Sequence, residues 1–400
     1  MKRYIGLAAL AAVLAAGTAQ AQTTVKIGVL SDMSSLYSDI GGPGSVAAAK
    51  MAIADFTKAH PDVKVELLSA DHQNKPDIGT NIANQWFDVD KVDMIIDVPN
   101  SGVALAVSQI AANKNKLFIV SGAAASDLTG PKCNANTIHW TYDTWMLANG
   151  TGTALVKTGG DTWFFLTSDY AFGHALERDT MAAVEKAGGK VLGKVRHPLN
   201  TNDFSSFLAQ AQQSKAKIIG LANAGGDTIN SIKQGAEFGI VKGGQKFAGL
   251  LVFASDVAAL GLPTAQGLTL TETWYWDAND ANRAWTKRWQ QERPGKFPTM
   301  VQAGVYSGVT HYLKAVAELK SSADGKAVVA KMKSMPTDDP LFGKGTIRPD
   351  GRKLHDAYLF EVKAPGESKY PGDFYKLKAT IPAAEAFRPL KEGSCPLVSG

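Results

Sequence analysis

The pattern that most restricts this chain is an alternation of short apolar, β-branched runs with segments of helical spacing, run through twice. Residues 25–30 (VKIGVL) read as a buried strand, and a helical stretch follows at 44–58. The same pair recurs as 63–68 with 78–87 and as 93–98 with 103–113, before a further strand at 117–120. Strands spaced by helices in this way form parallel sheets covered on both faces. The rhythm restarts with a helix at 144–157 and strands expected at 162–167, 190–196, 217–222 and 247–253. Helices at 171–187, 204–213 and 227–239 separate these strands. A strand at 267–273 leads into helices near 281–292, 301–319 and 325–335, and 355–362 returns to strand character. The fold class that follows is α/β, with two Rossmann-like lobes of parallel sheet. At 400 residues the chain has the length for two domains. No long polar linker parts the halves, so the lobes pack side by side with a cleft between them. The expected division is 22–141 plus 275–340 for the first lobe and 142–274 plus 341–400 for the second.

The first 21 residues stand outside this rhythm. Lys2 and Arg3 precede an apolar run, and Ala19-Gln20-Ala21 is a small-x-small cleavage site, which together read as a secretory signal peptide. No later segment is apolar over the ~18 residues a membrane span needs. The expected location is a bacterial periplasm, as a monomer without stable membrane insertion. In such a compartment the only two cysteines, Cys133 and Cys395, are expected to pair. The net charge of +5 is spread thinly, with no Lys/Arg-dense run to bind nucleic acid.

In open α/β sheets ligands bind beyond the carboxyl ends of the strands. Here those loops carry Ser31 to Tyr37, Pro99-Asn100-Ser101-Gly102, and Ser121 to Ser126. In the second half they carry Asp169 to Gly173, Asn223 to Asp227, and Ala254-Ser255-Asp256. Ser, Asn and Asp are also ordinary helix N-caps, so each loop has a purely structural reading as well. Trp274-Tyr275-Trp276 leaves a strand with aromatic rings to offer either a cleft or a core. Asp338-Asp339 before Pro340 reads as a turn. The stretch Gly42-Pro43-Gly44-Ser45-Val46-Ala47 matches a dinucleotide fingerprint, but it begins too far beyond the first strand to form the tight turn. No P-loop, nucleophile elbow, zinc-protease motif or Cys-x-x-Cys is present. No cofactor, metal or catalysis is expected.

Several stretches carry a family resemblance: SDYAFGHAL at 168–176, NDFSSF at 202–207, AGGDTINSIKQGAEFG at 224–239 and QAGVYS at 302–307. With the opening IGVLSDMSSLYSDIGGPG, they make the chain resemble periplasmic substrate-binding proteins of the leucine/isoleucine/valine-binding type, over nearly its whole length. The resemblance implies two lobes joined by three crossover segments, closing on a ligand and handing it to an inner-membrane ABC importer permease. It implies a carboxylate grip at Asn100, Ser101, Ser121, Gly122 and Ala123, with Tyr37, Tyr170, Phe172 and Trp274 packed on the ligand body. Asn223, Asp227 and Asp256 would meet its polar groups. The chain departs from the family pattern where Ala124 stands in place of the usual Thr. It departs again after residue 253, where only Asp256 is acidic. These departures count against a leucine-type ligand, and the resemblance to similar proteins that bind aromatic carboxylates implies an aromatic acid; amino-acid binding and a sensor role are the alternatives.

Overall fold

The computed structural model describes residues 23–398; the signal-peptide expectation lies outside them. Five strands build the first sheet: β1 (Thr23–Ser31), β2 (Val63–Asp71), β3 (Met94–Asp97), β4 (Leu117–Val120) and β5 (Thr137–His139). They lie in the order β2-β1-β3-β4-β5, all parallel. Four more build the second sheet: β6 (Thr162–Ser168), β7 (Lys190–His197), β8 (Ile218–Ala222) and β9 (Lys246–Gly249), parallel in the order β7-β6-β8-β9. The central strands β3, β4 and β8 are buried at every position, as parallel strands covered on both faces must be. Helices Gly42–Ala59, Pro76–Asp88 and Ser101–Asn113 cover the first sheet. Ala171–Lys186, Ser205–Gln213 and Gly226–Glu237 cover the second.

The chain then crosses back. Strand β10 (Thr269–Glu272) leaves the second lobe, and the helix Met300–Leu319 packs on Gly42–Ala59 of the first. Strands β11 (Thr337–Asp339), β12 (Gly343–Ile347) and β13 (Lys353–Leu354) form a small antiparallel sheet, so Asp338 and Asp339 are strand residues rather than turn residues. This sheet abuts the first lobe: the His139 amide donates to the Gly351 carbonyl at 2.9 Å. Two buried cations of the β12–β13 hairpin fix it there. Arg352 donates to the Tyr142 carbonyl at 3.2 Å and lies 3.4 Å from Asp143. Lys353 places its ammonium 4.6 Å from the Trp140 ring centre and 4.3 Å from that of Phe342. Residues 142–143 and 341–354, expected in the second lobe, therefore pack with the first. A two-residue strand, Lys353–Leu354, preceded by a buried Arg352, carries no apolar pattern from which to assign it.

Strands β14 (Ala357–Val362) and β15 (Tyr375–Ile381) return to pair with β10 in an antiparallel sheet, β10-β14-β15. The tail then crosses once more. Arg388 donates to the Ser126 carbonyl at 3.0 Å, and Cys395 is disulfide-bonded to Cys133 with Cα atoms 5.6 Å apart. The expected strand at 247–253 stops at Gly249 because Leu250 turns back to hydrogen-bond the Ala248 carbonyl. That turn frees Leu251 to face the other lobe. Among the described residues no helix is long and apolar enough to cross a membrane.

Candidate functional site

The carboxyl ends of the two sheets face one another, and their loops enclose a small cavity. From the first lobe come Tyr37 and Ile40 after β1, Pro99 after β3, Gly122 and Ala124 after β4, and Tyr142 after β5. From the second come Tyr170 and Phe172 after β6, Ala224 after β8 and Leu251 after β9. The walls are thus aromatic and apolar. As the sheet rule requires, every piece sits on a strand-end loop except Phe172, which is in the first turn of the helix Ala171–Lys186.

The lobes are closed on each other. The Tyr37 and Tyr170 hydroxyls lie 2.6 Å apart across the cleft. Gly225, at φ +56°, lets the second lobe approach the Leu36 carbonyl, which a Cβ there would meet at 2.7 Å. The cavity left is about 10 Å³, at the ~10–15 Å³ a single water needs. A solute therefore gains access only when the lobes part and the tyrosine pair separates.

Local chemistry fixes each wall. Asp32 accepts from the Tyr37 amide at 2.7 Å and the Ser35 amide at 2.9 Å, curling the β1 loop so that Tyr37 points inward. The Tyr142 hydroxyl donates to the Gly122 carbonyl at 2.6 Å. Tyr170 and Phe172 form a tilted pair with ring centres 5.9 Å apart. Burial pushes both Tyr37 and Tyr170 well above the ordinary phenol range, so both remain protonated. One of the two protons bridges the pair, and the other is free to donate.

The floor is strained. Asp97 and Val98 are consecutive non-glycine residues at φ +88° and +54°, an arrangement that is costly for a β-branched residue. This turn tucks the Asp97 carboxyl under Gly122, where an added Cβ would come within 2.6 Å of Oδ1. The Ser31 hydroxyl donates to Oδ2 at 2.8 Å, while Oδ1 is buried with no hydrogen-bond partner. Burial raises the Asp97 pKa to about 6, against the lowering effect of Ser31.

Of the residues expected from the sequence, Tyr37, Gly122, Tyr170 and Phe172 line the cavity. Ser101 lies just behind it, its hydroxyl oxygen accepting from the Ala124 and Ala125 amides at 3.2 Å each. The others face elsewhere. Asn100 caps its helix through Val103 N at 3.1 Å. Ser121 turns into the core and donates to the Val301 carbonyl at 2.7 Å. The Ala123 side chain is fully buried, and its carbonyl bonds His139 at 2.8 Å. Asn223 is held by Thr228, Ser231 and His197 within its own lobe. Asp227 receives the Asn200 and Thr201 amides, and Asp256 receives the Phe253 amide at 2.9 Å. Burial raises both carboxyls to about 7. Trp274 packs edge-on against Trp285 at 5.5 Å, in the core. Ile40, Pro99, Ala124, Tyr142, Ala224 and Leu251 also line the cavity and are not among the contacts expected from the sequence. Pro99, Ala124 and Ala224 lie on strand-end loops that the sheet rule marks, and Tyr142 is an aromatic residue shortly after a strand; Ile40 and Leu251 carry no such signal.

These placements separate structural from ligand-facing roles by experiment. Asn100→Ala is expected to lower stability by about 1 kcal/mol, the usual cost of a lost N-cap. Ligand affinity should stay within twofold. Thermal melting and calorimetry on the same variant check this, and a large affinity loss with unchanged melting would reject it.

Among the described residues no cluster of His, Cys, Asp or Glu could hold a metal. Two α/β lobes that close their strand ends over an aromatic-walled cavity define a two-lobed solute receptor. The chain belongs to the periplasmic binding protein family, whose sequence profile matches residues 24–368. It is 51% identical to a periplasmic binding protein of Burkholderia mallei of known structure, with TM-score 0.90 over 94% of this chain and 100% of that one. A branched-chain amino acid ABC transporter ligand-binding protein of Burkholderia xenovorans is 40% identical, with TM-score 0.82 over 93% of this chain and 99% of that one. A Leu/Ile/Val-binding protein homologue of Brucella melitensis is 26% identical, over 92% of this chain and 95% of its own length. The fold is also shared, at 22% identity and TM-score 0.82, with a Rhodopseudomonas palustris ABC solute-binding protein in complex with 4-hydroxybenzoate. That match covers 90% of this chain and 97% of the other.

Proposed function

We propose that this ABC-type solute-binding protein captures a small aromatic carboxylate between its lobes and presents the closed form to an importer permease. The observation that carries the reading is the cleft wall: four aromatic rings, from Tyr37, Tyr142, Tyr170 and Phe172, with no carboxylate lining them. Asp227 and Asp256 are engaged by backbone amides, so neither is presented to a ligand ammonium. A flat ring would slide between Tyr37 and Tyr170 as the lobes part, and its carboxylate would accept from the spare phenol proton and the Ser101 hydroxyl. Closure follows because only the closed state offers both walls at once. The 4-hydroxybenzoate complex of the R. palustris protein supports this ligand class as a property the fold can host. The B. xenovorans neighbour favours the second reading, a branched-chain amino acid in the same cleft.

Calorimetric titration with 4-hydroxybenzoate and with leucine, at pH 7.5 and 5.5, tests the proposal. The aromatic acid should bind and leucine should not. Its affinity should rise as pH falls. Asp97, with its pKa near 6, and Asp227, near 7, are ionised at pH 7.5 and repel an anion; at pH 5.5 both are largely neutral. The gain expected is roughly threefold to tenfold, about 1 kcal/mol of relieved repulsion. Tight leucine binding, or an acid affinity that falls on acidification, would reject the reading.

A further inference from the structure

A second and larger cavity, of about 250 Å³, opens between the lobes on the far side of Asp39 and Ile40 from the tyrosine pair. One wall is the second-lobe helix Ala254–Leu260, which offers Ser255, Ala258 and Ala259. The facing wall is the segment that leads into Met300–Leu319 of the first lobe, with Arg293, Lys296 and Phe297. We propose that this cavity is a binding site for a small carboxylate with an apolar body, separate from the principal cleft.

Three features argue for it. The cavity is polar where it should be: Arg293 Nε and Ser255 Oγ are both buried and neither has a hydrogen-bond partner. Buried donors left unpaired are costly, and a carboxylate would satisfy both. Its charge is also positive. Lys296 is paired with Asp39 at 3.5 Å, which leaves the Arg293 guanidinium uncompensated among the described residues. A guanidinium is the group best shaped for a carboxylate. Finally, beside Asp39, Gly295 and Gln302 the lining has an apolar face, with Ala258, Ala259 and the Trp289 and Phe297 rings placed to cover a hydrocarbon or aryl body. The volume exceeds what a single water needs by more than an order of magnitude.

The site also has a consequence for closure. Its walls belong to opposite lobes, so an occupant is held fully only when the lobes are together. By linkage it raises affinity in the principal cleft, and a ligand there raises affinity here by the same factor. None of this depends on which solute the principal cleft prefers.

The test uses benzoate as the probe and calorimetry on the full mature chain. Wild type should take up two benzoates per chain. Phe172→Ala, which damages only the principal cleft, should retain one. Adding Arg293→Gln to that variant should weaken the remaining site at least tenfold. Ala258→Trp, which fills the second cavity and leaves the charge in place, should reduce the wild-type stoichiometry from two to one. If Phe172→Ala instead removes all benzoate binding, or if Arg293→Gln leaves the retained site unchanged, the second site does not exist. A single site that survives Phe172→Ala and is lost with Arg293→Gln upholds this proposal, and counts only against an aromatic acid in the principal cleft.

Discussion

Tyr170→Ala is expected to weaken 4-hydroxybenzoate binding at least 100-fold. Tyr170 meets Tyr37 across the cleft and packs on Phe172, so its ring is wall for the ligand and contact for closure at once. Truncation removes an aromatic surface whose burial is worth roughly 3 kcal/mol, about two orders of magnitude in affinity. It also leaves the Tyr37 hydroxyl, buried beside it, without its partner. Tyr170→Phe separates the two contributions. The ring is kept, only the phenol donor to the ligand carboxylate is lost, and the expected weakening is about tenfold, the worth of one hydrogen bond. Equal affinity for wild type and Tyr170→Ala would place the ligand elsewhere.

The second large effect is on stability. Cys395→Ser should lower the melting temperature by roughly 5 °C, and adding reductant to wild type should reproduce the shift. The bond closes a loop of 262 positions. The chain-entropy model gives about 5 kcal/mol for so long a loop, above the 2–4 kcal/mol typically measured. At about 2.1 cal/mol/K of unfolding entropy per residue, a chain of this length moves its midpoint by roughly 1–1.5 °C per kcal/mol. The double variant Cys133→Ser/Cys395→Ser should melt like the single one and ignore reductant. A shift below 2 °C would mean that packing holds the tail without the bond. Arg388, donating to the Ser126 carbonyl, is the contact that would then do so.

How much of this was legible in the sequence follows from what each segment buries. The parallel strands announced themselves because both faces are covered, which forces unbroken apolar runs such as residues 94–96 and Leu117–Val120. The helices between them showed clear spacing for the same reason. Strand β15 was not readable: its outer positions are solvent-exposed, and Tyr375–Ile381 carries lysines among its apolar residues. The hairpin around Arg352 and Lys353 was hidden because buried cations mimic a surface segment. The site was half visible. Tyr170 and Phe172 follow a strand directly, so the sheet rule finds them. Asn100, Asp227 and Asp256 lie on loops of the same kind and were read as binders, yet their oxygens cap helices and turns. Residue type cannot separate these two uses, because a carboxylate that accepts a backbone amide is chemically the one that would accept a ligand donor. Ser121 was misplaced by orientation alone: its loop borders the cleft, but its hydroxyl turns to the Val301 carbonyl. Leu251 depended on a strand ending at Gly249, which no local signal marked.

The bridge between Cys133 and Cys395 also sets an order of events. Cys133 lies between β4 and β5, while Cys395 follows every strand of the fold. The thiols meet only after both sheets have been synthesised and the tail has crossed back to the first lobe. With two cysteines a single connectivity exists, so there is no wrong pairing for an isomerase to undo. Oxidation is then the last stitch of maturation, and the redox state of these two sulfurs marks whether a given molecule has finished assembling.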